Sequence, residues 1–386
     1  MKMIRPVFLI ASLLLCGSLL ASDQQDNEQF SIATLNVDGL PQKILVLKVN
    51  ADGPGDAGTA RIGKYLMQKK YDLVMMQEDF NYHGVLSVLL EDDYKFDTWT
   101  GAVGLEEKKI DLLHLQNHRF DCDGLMACWK NDLTVTPAVR TAWKQNFGKF
   151  SHANDEMVTK GYRRYDVTLR DGSRIVVYNM HMDASDDADE AVQNDSTDKK
   201  ARMAQWAQLK DDVMSQLDTR PIVIVGDMNS LYGRDAVKRE FIDVISESGR
   251  GTVADAWVEL KRSGVYPSEP VTEQTAGEET LDKILYINPA VGTTIKPVSL
   301  TIDRDGYRYD GKPLGDHYPV AATFQITSRG VTAIDPIAPS GSPTWPTPGT
   351  DDGKAYYDLN GKRISQPQGG IVIEQQGDKA EKRIIK

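Results

Sequence analysis

Pro221-Ile222-Val223-Ile224-Val225-Gly226-Asp227-Met228-Asn229 is a β-branched run that ends abruptly in a glycine, an acid and an amide. A continuous apolar run of this kind reads as a strand buried on both faces. Its end therefore puts polar chemistry at the rim of a buried sheet. The same pattern recurs along the chain, in Ile32-Ala-Thr-Leu-Asn36-Val-Asp38, Asp72-Leu-Val-Met-Met-Gln77-Glu78, Ile175-Val-Val-Tyr-Asn179-Met-His181 and Leu281-Asp282-Lys-Ile-Leu-Tyr286. Gly315-Asp316-His317-Tyr318-Pro319 then leads into the strand-like Val320-Ala-Ala-Thr-Phe324. A lone strand ending in Gly-Asp is commonly just a turn. Repetition in this order is not.

Asn-Val-Asp-Gly-Leu at 36–40, Gln77-Glu78, Gly-Asp-x-Asn at 226–229 and Asp-His-Tyr-Pro at 316–319 together resemble the endonuclease/exonuclease/phosphatase superfamily, over roughly residues 30–326. That family includes DNase I, apurinic endonucleases, sphingomyelinases and inositol polyphosphate 5-phosphatases. The resemblance implies a four-layer αββα sandwich: two mixed β-sheets face to face, with helices on both outer faces. Local patterning agrees with layered α/β. Gly58 to Lys70 carries Ile62, Tyr65 and Leu66 on one face, and Lys199 to Leu217 repeats Met203, Trp206, Leu209, Val213 and Leu217 at helical spacing. That second stripe reads as core. Arg164 to Leu169 alternates as a strand does.

The 386 residues suffice for one large domain and an appendage, and the 40% apolar content is that of a globular chain. The net charge of −11 leaves no basic footprint for gripping nucleic acid. Residues 1–22 read as a secretory signal: Lys2 and Arg5, an apolar core from Val7 to Leu20, then Ala21 or Ser22. That core is shorter than the about 20 apolar residues of a membrane span, so no transmembrane anchor is expected. Cys16 follows Leu15, not a small residue, which argues against lipidation. The protein is expected to be secreted, at the cell surface or in the medium, or periplasmic if the tail is not a sorting signal. A monomer is expected. In an exported chain, Cys122 and Cys128 are expected to form a local disulfide.

The domain is placed at 28–328, followed by a Pro/Ser/Thr/Gly linker at 329–353. A β tail at 354–386 contains Asn360-Gly361, a hairpin signal. This tail resembles the sorting modules of Bacteroidetes secretion substrates; the other reading is an accessory binding module. Asp183 to Asp198 lacks the spacing of an EF-hand and reads as a solvated loop near the active rim.

Phosphodiester hydrolysis needs a Lewis acid, an in-line water and help for the leaving oxygen. A hard cation takes carboxylate and amide oxygens. The resemblance makes Glu78 the central ligand, with Asn36, Asp38 and Asp316 completing a site for Mg²⁺, or alternatively Mn²⁺ or Ca²⁺. It makes Asp227 the acid that orients or deprotonates the nucleophile and Asn229 its aligner. His317 held by Asp282, and His181, would face the phosphate. Lys160, in a family-like Lys-Gly, and Asp183 are candidate substrate contacts.

The expected activity is that of a metal-dependent phosphodiesterase, foremost a sphingomyelinase-like phospholipid headgroup hydrolase with peripheral membrane contact. Export, Gly-Leu-Pro at 39–41 and the Asp155 to Gly161 approach favour it. A secreted endonuclease acting on nucleic acid and an inositol-phosphate phosphatase are the enzyme alternatives, the latter weakened by the lack of a basic cluster. An inactive binding protein is the non-enzyme alternative.

Overall fold

Alternate residues of Leu73–Gln77 face opposite ways, and that alternation organises the molecule. Leu73 and Met75 enter one large core together with Ile32, Val225 and Phe324, while Val74 and Met76 join Ile62, Leu66, Leu86 and Leu90. One face of the strand thus packs against a second sheet and the other against helices. The computed structural model describes residues 28–44, 47–101, 120–148, 152–184, 197–268 and 279–327, and 354–357, 363–364, 370–376 and 379–385 of the tail. The signal, linker and acidic-loop readings fall largely or wholly outside those residues.

The first sheet runs, in order across it, Thr294–Ile302, Val320–Thr327, Gln29–Asn36, Leu73–Gln77, Met126–Lys130 and Tyr94–Phe96. The second runs Gly251–Asp255, Asp282–Pro289, Ile222–Asp227, Arg174–His181, Gly161–Thr168 and Thr134–Val135, with Val139–Ala142 also paired to Gly161–Thr168. Each sheet has one parallel pair at its centre: Gln29–Asn36 beside Leu73–Gln77, and Arg174–His181 beside Ile222–Asp227. The remaining neighbours are antiparallel. Between the sheets, Gln77 Nε2 donates to Asn179 Oδ1 at 2.7 Å, and Asn179 Nδ2 donates to the carbonyls of Met76 and Met126 at 3.0 Å. A buried amide pair satisfied in this way fixes the register of one sheet against the other, because a slip would orphan its polar atoms.

Helices Gly55–Lys69 and His83–Leu90 cover the first sheet. Lys70 ends the former in a left-handed cap, its N–H bonding to the Leu66 carbonyl. Thr197–Gln216 covers the second sheet with Trp206, Leu209 and Val213, the stripe anticipated as core. No described helix is long and apolar enough to cross a membrane. The expected αββα sandwich of two mixed sheets is what the chain forms.

The chain divides into two units, Met1–Val331 and Thr332–Lys386. In the second, Arg363–Ile364, Lys354–Tyr357, Gly370–Gln376 and Lys379–Ile385 form a four-stranded antiparallel sheet in that order.

The expected disulfide is corrected. Cys122 and Cys128 are both free and buried. Cys128 lies on the Met126–Lys130 strand facing the helices, among Val74, Met76 and Leu90, whereas Cys122 packs against Phe80 and Val158 in a separate cluster. Burial pushes the Cys122 thiol up to about 12, so it is neutral and unreactive.

Candidate active site

Parallel strands end at the same edge, so the two central pairs deliver their last residues to one rim. Asn36 is registered with Gln77, His181 with Asp227, and Asp227 with Asp282 at the start of the neighbouring antiparallel strand. Asn36 joins the two sheets there: its Nδ2 donates to Glu78 Oε1 at 2.9 Å and to Asp227 Oδ2 at 3.2 Å.

The rim is built from strained backbone. Asp38, Glu78 and Asn229 have φ of 50°, 56° and 45°, a left-handed conformation that costs an L-residue about 1–2 kcal/mol. Such outliers persist only where surroundings enforce them, and they concentrate at functional sites. Here the enforcement is visible. Asp38 N–H is held by Asn36 Oδ1 at 3.0 Å, and Asn229 N–H by Asp227 Oδ1 at 3.0 Å.

Asp227 is the hub. His181 Nε2 lies 3.4 Å and His317 Nε2 3.7 Å from its Oδ2. Burial would raise this carboxyl, but His317, His181, Lys160 and the Asn229 N–H together hold it below the usual range. His317 Nδ1 is 2.6 Å from Asp282 Oδ2. Burial opposes charge on this ring, yet Asp282 and Asp227 hold its pKa well above the ordinary value, so it is an imidazolium. His181 is the opposite case. Burial, reinforced by Lys160, keeps its pKa well below normal and its ring neutral. Two histidines on one carboxylate thus carry different charge.

Glu78, Asp38 and Asp316 line a single cleft. Burial, with Lys160 opposing and Asp316 adding, pushes Glu78 up to about 7. Burial and then Asp316 push Asp38 up to about 6, although Asn50 Nδ2 donates to its Oδ1 at 2.5 Å. Carboxylates crowded into raised pKa values beside an amide oxygen fit a hard divalent cation, which would relieve their repulsion. Asp227, Asp282 and His317 also converge within 4.8 Å. There His317 stands between the two acids, 2.6 Å from Asp282 and 3.7 Å from Asp227.

Lys160 is buried at the cleft wall, its Nζ paired with Asp155 Oδ1 and donating to the Met182 carbonyl at 3.4 Å. Asn229 Nδ2 donates to the same carbonyl at 3.2 Å. Asp183 lies behind the rim: its carboxylate accepts the Phe147 N–H at 2.7 Å and its own N–H donates to Gln205. Burial and then Asp155 push its carboxyl up to about 8. Its contacts are those of a loop anchor, and it does not line the cleft.

Sequence reasoning missed Asn50 and Asp155. Both act through contacts made only in the folded chain, and no local pattern marks either. It also missed the character of the cleft, about 410 Å³, whose lining includes Leu40, Val49, Phe80, Phe120, Met157 and Val158. Acids and lysine share its lining with an apolar cluster of Leu40, Phe80, Phe120 and Val158.

No family model matches the chain, and no curated protein matches it. Solved structures do. D. rerio TDP2 complexed with single-strand DNA product aligns with a TM-score of 0.50 and 15% identity, over 78% of this chain and 100% of that one. The human nocturnin catalytic domain with bound sulfate gives 0.50 at 13% identity, over 78% and 98%. An endonuclease/exonuclease/phosphatase from Bacteroides vulgatus gives 0.49 at 14% identity, over 78% and 100%. The chain has the fold of the endonuclease/exonuclease/phosphatase superfamily.

Proposed function

We propose that this protein, with the fold of that superfamily, is a secreted divalent-metal-dependent phosphodiesterase acting on phospholipid headgroups. The observation that carries it is one cleft lined by two kinds of side chain. Glu78, Asp38, Asp316 and Lys160 line it beside His181, Asp227 and His317, and so do Leu40, Phe80, Phe120 and Val158, which pack together as one apolar cluster. A phospholipid has the matching polarity: one phosphate between a polar headgroup and an apolar stem.

Glu78, Asp38, Asn36 and Asp316 would hold the cation. When bound, it supplies a Lewis acid for the phosphoryl oxygens and lowers the pKa of water. The protein's own groups orient the rest. Asp227, ionised, accepts the proton of the attacking water, and Asn229, fixed to Asp227 through its N–H, aligns the phosphate. A water oxygen–phosphorus bond forms as the bond to the lipid oxygen breaks on the opposite side, and the departing alkoxide takes its proton from solvent water, its charge eased by the cation that these acids would hold. His317 Nε2 lies 3.7 Å from Asp227, on the attacking side, so its proton serves a phosphoryl oxygen and not the leaving group. Lys160 adds positive charge from the wall.

A net charge of −11 disfavours a long polyanion more than a single phosphate. The test is a panel of sphingomyelin, phosphatidylcholine, plasmid DNA and RNA, assayed with Mg²⁺ and with EDTA. Headgroup release that stops in EDTA and varies little with salt is expected. Efficient plasmid nicking with a steep salt dependence and no headgroup release would overturn it in favour of a nuclease.

A further inference from the structure

The acids of the rim belong to two depressions. Asp38, Asn50 and Asp316 line the cleft already described and also a separate groove of about 540 Å³. Pro54, Pro313 and Leu314 contribute to the lining of this second groove. It runs past Asp52 and Pro54 to Arg61, Tyr309 and Lys312. A diester whose phosphorus sits at the shared acids would send one ester into the apolar cleft and the other into this groove.

Arg61 and Lys312 are the groove's cations. The Arg61 guanidinium lies over the Tyr309 ring, its Cζ 3.9 Å from the centroid, and Tyr309 is 57% exposed. A cation–π contact of this kind holds the guanidinium near the ring without using its N–H donors. Among the described residues neither Arg61 nor Lys312 forms an ion pair or a side-chain hydrogen bond. Tyr309 and Lys312 are themselves held by the Arg308–Tyr309 and Lys312–Pro313 hairpin, registered Tyr309 to Lys312. Its turn takes Asp310 and Gly311 through φ of 50° and 76°. Two uncommitted cations beside an exposed aromatic ring, in a groove that shares Asp38 and Asp316 with the cleft, suit an anionic partner. Asp52 on the same groove matches an ammonium.

We propose that this groove is a headgroup subsite selecting phospholipids whose headgroup carries a further acidic group, a carboxylate above all. The inference rests on the lipid reading above and adds its specificity. Arg61 takes the carboxylate as a fork and Lys312 adds a point charge, whereas a quaternary ammonium would meet two like charges there.

Two soluble diesters isolate the carboxylate from any effect of a charged membrane: glycerophosphoserine and glycerophosphoethanolamine differ only by that group. Each is tested as an inhibitor of bis-p-nitrophenyl phosphate hydrolysis in Mg²⁺. Glycerophosphoserine should bind about tenfold more tightly, the magnitude of one charge-assisted hydrogen bond. Arg61→Ala should abolish most of that difference and Lys312→Ala part of it, with the ethanolamine constant within about twofold of wild type in both. Equal constants in the wild type, or a preference that survives in both variants, would overturn the subsite while leaving the lipid reading intact. If neither diester competes and plasmid DNA does, the lipid reading and the subsite both fall.

Discussion

Gly39 passes so close beneath the Glu78 carbonyl that a Cβ on it would stand 2.2 Å from that oxygen. The two residues follow the ends of the two parallel strands of the first sheet, and each contributes to a turn with left-handed backbone at Asp38 or Glu78. The contact is backbone to side-chain position, so no rotamer change can relieve it. Glycine here is what lets the Asp38 turn nest against the Glu78 turn.

We therefore predict that Gly39→Ala displaces Glu78 and lowers divalent-cation affinity at least tenfold, with a modest loss of stability, about 1–3 kcal/mol. Calorimetric titration with Mg²⁺ and thermal unfolding in EDTA measure the two separately. Unchanged cation affinity would show that the close approach does not hold the metal ligand.

His317→Ala and Asp282→Asn should each lower kcat by orders of magnitude, because the 2.6 Å pair keeps His317 an imidazolium. The double variant should be little worse than His317→Ala alone, since groups acting as a unit are not additive. In Asp282→Asn the basic limb of the pH–rate profile should move to lower pH, the imidazolium having lost its main stabiliser. Multiplicative losses with an unmoved basic limb would separate the two residues.

Much of this rim was legible in the sequence for a physical reason. Asn36, Glu78, His181 and Asp227 each terminate or directly follow a buried apolar strand, and a polar residue there needs a purpose. Asn50 and Asp155 were not legible, because each acts on a residue from another segment: Asn50 on Asp38 across a loop, Asp155 on Lys160 and the Ala184 N–H. Cys122 and Cys128 misled for the opposite reason. They are near in sequence, but the strand puts Cys128 on the helix side of its sheet while Cys122 sits in another cluster. The αββα layering was legible from strand rims and helical stripes. The Gln77–Asn179 amide pair that registers the sheets was not, since two buried amides look alike whether they meet or not.

Metal and pH should be linked through Glu78 and Asp38. Their folded pKa values, about 7 and about 6, lie above those of ordinary carboxyls. The fold therefore favours the protonated acids, and apo-protein stability should fall as pH rises from about 4.5 through 7. A rise from 4.5 to about 7 in Glu78 corresponds to roughly 3 kcal/mol. Mg²⁺ binds the deprotonated form, so it should restore the loss and bind more tightly at pH 8 than at pH 6. Melting curves at pH 5, 6.5 and 8, in EDTA and in Mg²⁺, measure this. A pH-independent effect of Mg²⁺ would remove these carboxylates from the cation site.

Asp155 offers the sharpest test of how the cleft keeps a buried cation in place. Its Oδ1 pairs with Lys160 Nζ, and its Oδ2 accepts the Ala184 N–H at 2.5 Å, so it ties the approach to the Gly161–Thr168 strand to the segment after His181. Asp155→Asn would leave Lys160 buried and unpaired, which typically costs about 3–5 kcal/mol. The nearest remaining anions are Glu78 and Asp227, whose fields already act on this lysine. An unneutralised Lys160 should therefore lean on the acids, weaken cation binding and depress kcat more than KM. Removing the charge as well should undo the damage to the fold: Asp155→Asn/Lys160→Met should melt above Asp155→Asn and bind Mg²⁺ more tightly than it. Activity should not return, because Lys160 is then missing from the cleft wall. If the double variant melts below both single variants, Asp155 is a packing element whose charge is incidental, and its pairing with Lys160 is not what holds the lysine in the cleft.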